Sequence, residues 1–280
     1  MRVVRDSIIE RASAPRAFVP TMGSLHEGHR ALMREARKRV GEHGEVVVSV
    51  FVNPTQFGEG EDFDAYPRDL DADIRVCEEE GVDILFAPSV SGIYGDSAVL
   101  AETKVTIDPG PLGTRWEGAE RPGHFAGVLT VLCILFHKVG ADIAVFGQKD
   151  YQQLVLVERM SRDLAFGIEI VGVPTIRDHD GLAMSSRNVY LDDDQRRMAA
   201  SIPRALEAAQ QEASQGSDRA MDAARSVLVD SGLAIDYVDV CAPDMAAAPS
   251  SGEARLLVAV RIGPVRLIDN CELTLGRRVP

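Results

Sequence analysis

Residues 45–52 read Glu-Val-Val-Val-Ser-Val-Phe-Val, and this run limits the fold more than any other stretch of the chain. A strand with one face in water alternates apolar and polar side chains, whereas a near-continuous β-branched run is stable where both faces are covered. Strands of that kind belong to parallel sheets with helices packed above and below. Further strand signals at 17–20, 83–87, 142–146 and 168–173 alternate with helical periodicity over 28–40, 68–81, 125–139 and 151–164. Such alternation implies right-handed βαβ units.

The pattern changes after Asn188. Asp192 with Gln195 predicts a capping-box start for a helix running to Gln215, and Ser217 is read as the cap of a second helix over 218–229. Residues 235–240, 254–260 and 265–267 read as strands, the last two joined by a Gly263-Pro264 turn. The expected fold is thus α/β: residues 1–176 form a Rossmann-like parallel sheet with helices on both faces, and 177–280 form a smaller C-terminal α+β lid domain. Residues 177–191 lie at the joint, where a hinge would act. Residues 92–120, containing Pro109, Gly110, Pro111 and Gly113, read as a mobile loop or peripheral excursion.

Chemistry enters at Pro20-Thr21-Met22-Gly23-Ser24-Leu25-His26-Glu27-Gly28-His29, which joins a short apolar strand to a charged helix. The exposed N–H groups and the positive end of the dipole at a helix entrance favour an anion. Gly28 lets a phosphate approach the backbone, and the i, i+3 spacing puts both imidazoles on one face. Taken alone, the motif fits a capped surface helix with two solvated histidines equally well. Downstream, Gly147-Gln148-Lys149-Asp150-Tyr151-Gln152-Gln153 follows one strand signal and Met184-Ser185-Ser186-Arg187-Asn188 follows another. Ligands of open parallel sheets bind beyond the carboxyl ends of strands, so three strand ends could converge on one triphosphate. Each member has a plainer reading too: Lys149 as a surface lysine, Ser185 and Ser186 as turn residues, and Arg121 with His124 as a cap on the helix from Phe125. Asp69, Asp71 and Asp73 would by default be a solvated acidic helix start. His43, His137 and His179 are read as structural or surface residues.

Composition narrows the classes. A net charge of −13 argues against a nucleic-acid surface, which needs a basic stripe. The chain has no apolar run of about 18 residues and no secretory leader pattern, so a cytosolic protein is expected. Cys77, Cys133, Cys241 and Cys271 are widely spaced, which favours buried small hydrophobes over a zinc site or a disulfide framework.

The early H-x-G-H and late M-S-S-R resemble the HIGH and KMSKS-like signatures of the nucleotidylyltransferase superfamily. Residues 20–29 (PTMGSLHEGH), 51–57 (FVNPTQF), 66–68 (YPR), 121–128 (RPGHFAGV), 147–153 (GQKDYQQ) and 180–191 (DGLAMSSRNVYL) together resemble the pantothenate synthetase family, in that family's order and across essentially the whole chain. The resemblance implies that ATP and pantoate form pantoyl adenylate and pyrophosphate, and that β-alanine then displaces AMP. It implies catalytic roles for His26, His29, Lys149, Ser185, Ser186 and Arg187. It implies ATP contacts from Met22, Gly147, Asp150, Ile176 and Met184, and pantoate contacts from Pro20, Asn53, Gln56, Phe57, Phe146 and Gln153. Asp73 is implied as the carboxylate associated with Mg2+, and the assembly as a homodimer. The residue types suit these roles. Uncharged amides at 53, 56 and 153 pair with hydroxyls without adding charge, and Pro20, Met22, Phe57 and Phe146 can wall a gem-dimethyl group. Residues 46–51 with 125–135 carry more apolar side chains than one sheet needs, a hint of a twofold contact.

No general base is obvious for the second step. An acyl adenylate is already activated, so a neutral amine held in line can attack by proximity while the protein excludes water. Two other classes stay open. A different transferase of the superfamily would use the same triphosphate machinery with another acceptor, although the acidic surface and missing anticodon domain oppose a tRNA substrate. A nucleotide-sensing module would bind without chemistry, which the intact His26, His29, Lys149 and Ser186 oppose.

Overall fold

The β-branched run becomes the third strand of a sheet whose neighbours are all parallel. In the computed structural model, which describes residues 1–11, 13–95 and 105–276, the first part of the chain runs β1 (Arg2–Val4), β2 (Arg16–Thr21), α1 (Glu27–Val40), β3 (Glu45–Val50), α2 (Leu70–Glu79), β4 (Ile84–Phe86), α3 (Val90–Tyr94), α4 (Glu117–Glu120), α5 (His124–Val139), β5 (Ile143–Gly147), α6 (Tyr151–Asp163) and β6 (Glu169–Val173). The six strands lie in the order β1-β4-β3-β2-β5-β6. Their pairing places Ala17 opposite Val46 and Val19 opposite Val48. These side chains pack with Val145 against Leu32, Met33, Ala36 and Val40 of α1 and Cys77 of α2. On the other face Phe18 meets Phe136 of α5 edge-on, with ring centroids 6.3 Å apart. Covering on both faces is why β3 tolerates consecutive valines.

Strand β1 was not legible from its three mostly exposed residues. The expectation of an irregular excursion over 92–120 needs correction where residues are described; 96–104 lie outside them. Pro111–Thr114 forms a tight 3₁₀ turn, α4 follows, and Leu112 and Trp116 are buried anchors. Proline and glycine there mark a packed turn.

The chain separates into two compact units, Met1–Gln148 with Leu156–Pro174, and Lys149–Val155 with Thr175–Pro280. In the second, α7 (Asp193–Ala199), α8 (Ser201–Glu212) and α9 (Ser217–Asp230) precede an antiparallel sheet of β7 (Ala234–Cys241), β8 (Gly252–Ile262) and β9 (Val265–Leu275). The Asp192/Gln195 capping box is present, but the single helix expected over 192–215 breaks at Ala200. Pro203 has no N–H to give the Ala199 carbonyl and fits only the first turn of a new helix. Ser217 is the first helical residue, and Gly216 precedes it as the cap. Ile202, Leu206 and Ala209 of α8 and Ala224 and Leu228 of α9 cover Val238, Leu256, Val258, Leu267 and Leu273 on one face of the sheet. β9 runs eight residues past its predicted end at Leu267, because Asp269, Asn270, Glu272 and Thr274 disguise a strand as a polar tail. All four cysteines are thiols; Cys77 and Cys241 are buried, Cys133 and Cys271 half-buried.

Candidate active site

The loop from β2 to α1 is a tight turn held from two sides. Thr21 Oγ1 donates to the Ser49 carbonyl at 2.7 Å and accepts from the Gly23 amide at 3.1 Å. Gly23 and Ser24 then take φ values of 84° and 53°, a left-handed geometry that costs most residues energy and persists only when surroundings impose it. Asp73 of α2 imposes it. Its carboxylate accepts from the amides of Ser24 (3.2 Å) and Leu25 (2.8 Å). A Cβ on Gly23 would stand 2.7 Å from Asp73 Oδ2 and 2.9 Å from Val50 Cγ1, so only glycine lets the carboxylate close in.

Asp73 is 2% exposed, which overturns the expectation of a solvated acidic helix start. Asp69 takes that role, capping α2 through the Ala72 amide. Burial pushes the Asp73 carboxyl above its usual range, against the two amides that stabilise its anion. Nor do these residues fit a divalent-cation site. The Asp73 oxygens are committed to backbone, and among the described residues no group of three or more His, Cys, Asp or Glu side chains is arranged to hold a metal ion.

At the mouth of α1 the two histidines cap the helix reciprocally. His26 Nδ1 accepts from the Gly28 amide at 3.1 Å, and His29 Nδ1 accepts from the His26 amide at 3.2 Å. A neutral imidazole whose Nδ1 accepts carries its proton on Nε2. The ring centroids lie 4.1 Å apart at the positive end of a helix.

After β3, Asn53 caps a 3₁₀ turn, Pro54–Gln56. It is 1% exposed and fully used within the protein. Its Oδ1 accepts from the Thr55 amide (3.3 Å), Thr55 Oγ1 (2.9 Å) and Tyr94 OH (2.6 Å), and its Nδ2 donates to Gln56 Oε1 (3.0 Å) and the Gly127 carbonyl (3.2 Å). Asn53 therefore braces the turn. Gln56 is the better ligand, since its Nε2 donates to the Met22 thioether at 3.3 Å, a weak acceptor that a hydroxyl or carboxylate readily replaces. Phe57 stacks edge-on with Phe63 and Tyr66, Pro20 is half-buried, and Phe146 is 4% exposed within the sheet.

Arg121 and His124 do not cap α5; Gly123 holds that position. His124 Nδ1 donates to the Gln56 carbonyl at 2.8 Å and its Nε2 accepts from Arg121 at 3.2 Å. Arg121 reaches the same carbonyl at 3.3 Å and pairs with both oxygens of Glu61. Burial, aided by the Arg121 charge, lowers the His124 pKa from 6.5 to about 4. An unfolded His124 would take a proton below pH 6.5 and the folded one would not. Stability from this group is thus complete above pH 6.5 and declines as pH falls towards 4, by up to about 3 kcal/mol. Denaturant unfolding of H124N, which keeps an amide donor near the Gln56 carbonyl, should show a flatter pH dependence than the parent over that range; equal slopes would contradict the assignment.

The remaining candidates belong to the second unit, apart from Gly147 at the end of β5. Lys149 and Asp150 sit in a 3₁₀ turn ahead of α6, with Nζ 3.4 Å from Asp150 Oδ1, and Gln153 is half-buried on the first turns of α6. The Ile176 carbonyl accepts from the Met184 amide at 2.9 Å, and a bridge between Arg177 and Ala183 closes the loop between them. Ser185 caps a short turn over Ser186–Tyr190 by accepting from the Arg187 amide at 3.3 Å. Arg177 grips both oxygens of Asp269, at 2.6 and 3.0 Å. Sequence reasoning missed Asp269, Asn270 and Arg255, whose one available signal was their charge and polarity inside a strand.

The first unit thus offers paired imidazole donors at a helix entrance and a braced amide. The second offers a lysine, two hydroxyls and an arginine on short turns. Both sets suit anionic oxygens. A sequence model of the family described as Pantoate-beta-alanine ligase matches residues 1–272. The pantothenate synthetase of Nocardioides sp. is 54% identical over 271 residues, covering 94% of this chain and 80% of that protein. Among solved structures, pantothenate synthetase from Thermus thermophilus superposes with a TM-score of 0.87 at 48% identity, covering 97% of this chain and 99% of its own. The pantoate-beta-alanine ligase of Francisella tularensis, solved in complex with beta-gamma ATP and beta-alanine, gives 0.79 at 32% identity and covers 97% of each chain.

Proposed function

The chain belongs to the pantoate–β-alanine ligase family, and from that premise we propose that it joins its two substrates through an acyl adenylate. A pantoate carboxylate oxygen attacks the α-phosphorus of ATP, the bond to the β-phosphate breaks, and pyrophosphate leaves. The β-alanine amine then attacks the acyl carbon, the bond to AMP breaks, and the amine loses a proton as the amide forms. The observation that carries this reading is the reciprocal cap, in which the Nδ1 atoms of His26 and His29 accept backbone amides at a helix entrance, because a neutral ring bonded in this way has an Nε2–H to offer charge growing on a departing pyrophosphate. Lys149, Ser185, Ser186 and Arg187 take further phosphate oxygens. Gly147, Asp150, Ile176, Met184 and Met22 receive the nucleoside, while Gln56 and Gln153 pair with pantoate beside Phe57 and Pro20. Mg2+ comes with the triphosphate, as is usual for an ion that binds through phosphates and few carboxylates.

ATP–pyrophosphate exchange tests the order of steps. Exchange should require pantoate and proceed without β-alanine. Release of ADP and phosphate would rule out the adenylate.

A homodimer and a cytoplasmic location, where ATP is available, complete the proposal. Among the described residues no helix is long and apolar enough to cross a membrane. The physical hint for the dimer does not survive. Phe125, Val128, Leu129, Val131, Leu132 and Leu135, which looked like surplus apolar surface, are at most 4% exposed in the single chain. The dimer therefore rests on the family. Light scattering should give twice the 30.3 kDa chain mass, and a monomer throughout the micromolar range would refute it.

A further inference from the structure

Two adjacent residues of β9 reach the two phosphate-candidate segments of the second unit. Asp269 and Asn270 are 3% and 5% exposed, and side chains next to each other on a strand point to opposite faces. Asp269 shares the helix-covered face with Leu267 and Leu273, where its carboxylate takes both Arg177 nitrogens at the root of the loop leading to Ser185. Arg177 Nη1 also donates to the Gly181 carbonyl at 3.0 Å, so one ion pair fixes that loop at two points. On the other face, Asn270 Nδ2 donates to the Lys149 carbonyl at 2.9 Å, and its Oδ1 accepts from Arg255 at 2.5 Å. Arg255 is 5% exposed, lies 3.7 Å from the centroid of the Tyr151 ring, and keeps its Nε buried without a hydrogen-bond partner among the described residues. Tyr151 OH in turn donates to the Pro243 carbonyl at 2.9 Å. Arg255 Nη2 also pairs with Glu272 Oε1 at 2.9 Å, and burying a guanidinium is costly unless it is paired; on this face the Asn270, Arg255 and Tyr151 contacts meet at the turn Lys149–Tyr151.

We propose that Asp269 and Asn270 are positioning residues that hold the Lys149 turn and the 177–187 segment in fixed register across β9, so that the two arrive at the phosphates together. This rests on the phosphate role proposed above for Lys149. Misplacing a reacting group by about 1 Å costs on the order of 10²-fold in rate, which sets the size of the effect.

The test is a double-mutant cycle in the full-length enzyme, read by ATP–pyrophosphate exchange. N270D keeps an acceptor for Arg255 and replaces the donor to the Lys149 carbonyl by a carboxylate oxygen that repels it. It should slow exchange on the order of 10²-fold with little change in the KM for ATP, and hydrogen exchange should speed up at residues 150 and 151 but not along β8. Combined with K149A, it should slow the enzyme no further than K149A alone, because both act through one group. D269N combined with S186A should behave in the same way. Multiplicative losses in both cycles, or an N270D enzyme at the parent rate, would overturn the bracket while leaving the proposed reaction standing. A K149A enzyme at the parent rate would instead remove the phosphate role of Lys149, and the bracket with it. If N270D does not fold, N270S carries the same cycle.

Discussion

H26N and H29N should each lower kcat for adenylation by about 10²–10³-fold, the loss expected for one preorganised donor at about 3–4 kcal/mol. Asparagine is the informative replacement. Its Oδ1 lies near the place of Nδ1 and can keep accepting the Gly28 or His26 amide, so the cap survives while the Nε2–H is lost. Loss of an N-cap costs about 1 kcal/mol, and H26A should lose that stability as well as the rate. KM values should move little. Supplying presynthesised pantoyl adenylate with β-alanine should return both asparagine variants to near the parent rate, since no pyrophosphate takes part in that half-reaction. Equal impairment in both half-reactions would mean that the histidines hold the adenylate or the fold.

The second large effect is expected from a side chain as small as one methyl group. A Cβ on Gly127 would lie 2.2 Å from the Thr55 carbonyl oxygen and 2.8 Å from the Gln56 amide nitrogen, both backbone atoms that no rotamer change can move aside. G127A must therefore push α5 and the Asn53–Gln56 turn apart. Overpacking of this kind costs about 1–3 kcal/mol, and the bond from Asn53 to the Gly127 carbonyl goes with it. Displacing Gln56 should raise the KM for pantoate by roughly 5- to 150-fold, given about 1–3 kcal/mol for an unpaired buried group, and leave the KM for ATP nearly unchanged. A variant with the parent melting temperature and pantoate KM would show that the turn tolerates the displacement.

These two cases mark how far the residues themselves could be read. The sheet was legible because consecutive valines in β3 have one stable environment, and His26 and His29 because a glycine-spaced pair at a strand-to-helix junction is chemically specific. The partners were not, since they are distant in sequence. Nothing near Asp73 reveals that it binds amides 48 and 49 residues upstream. Gly127 looks like one more small residue in a helix until Thr55 is placed against it. The last strand was cut short at Leu267 because strand signals weigh apolar alternation, and Asp269 and Asn270 are polar on both faces for a reason that only their distant partners supply. Asn53 was read as a ligand by its residue type, whereas its neighbours consume every donor and acceptor it has.

The anchoring of residues 23–25 by Asp73 has a consequence for transplantation. The ten residues from Pro20 to His29 look like a portable cassette, and grafting them onto another parallel sheet would copy every recognisable letter. The graft would lack the carboxylate that keeps Ser24 left-handed and aligns the helix entrance, because that group sits on α2, beyond the next strand. A recipient must supply a buried acid at the matching place and a glycine that lets it approach. Gly23 and Asp73 thus work as one unit: a side chain at 23 would displace the carboxylate, and without the carboxylate the Ser24 and Leu25 amides lose their acceptor.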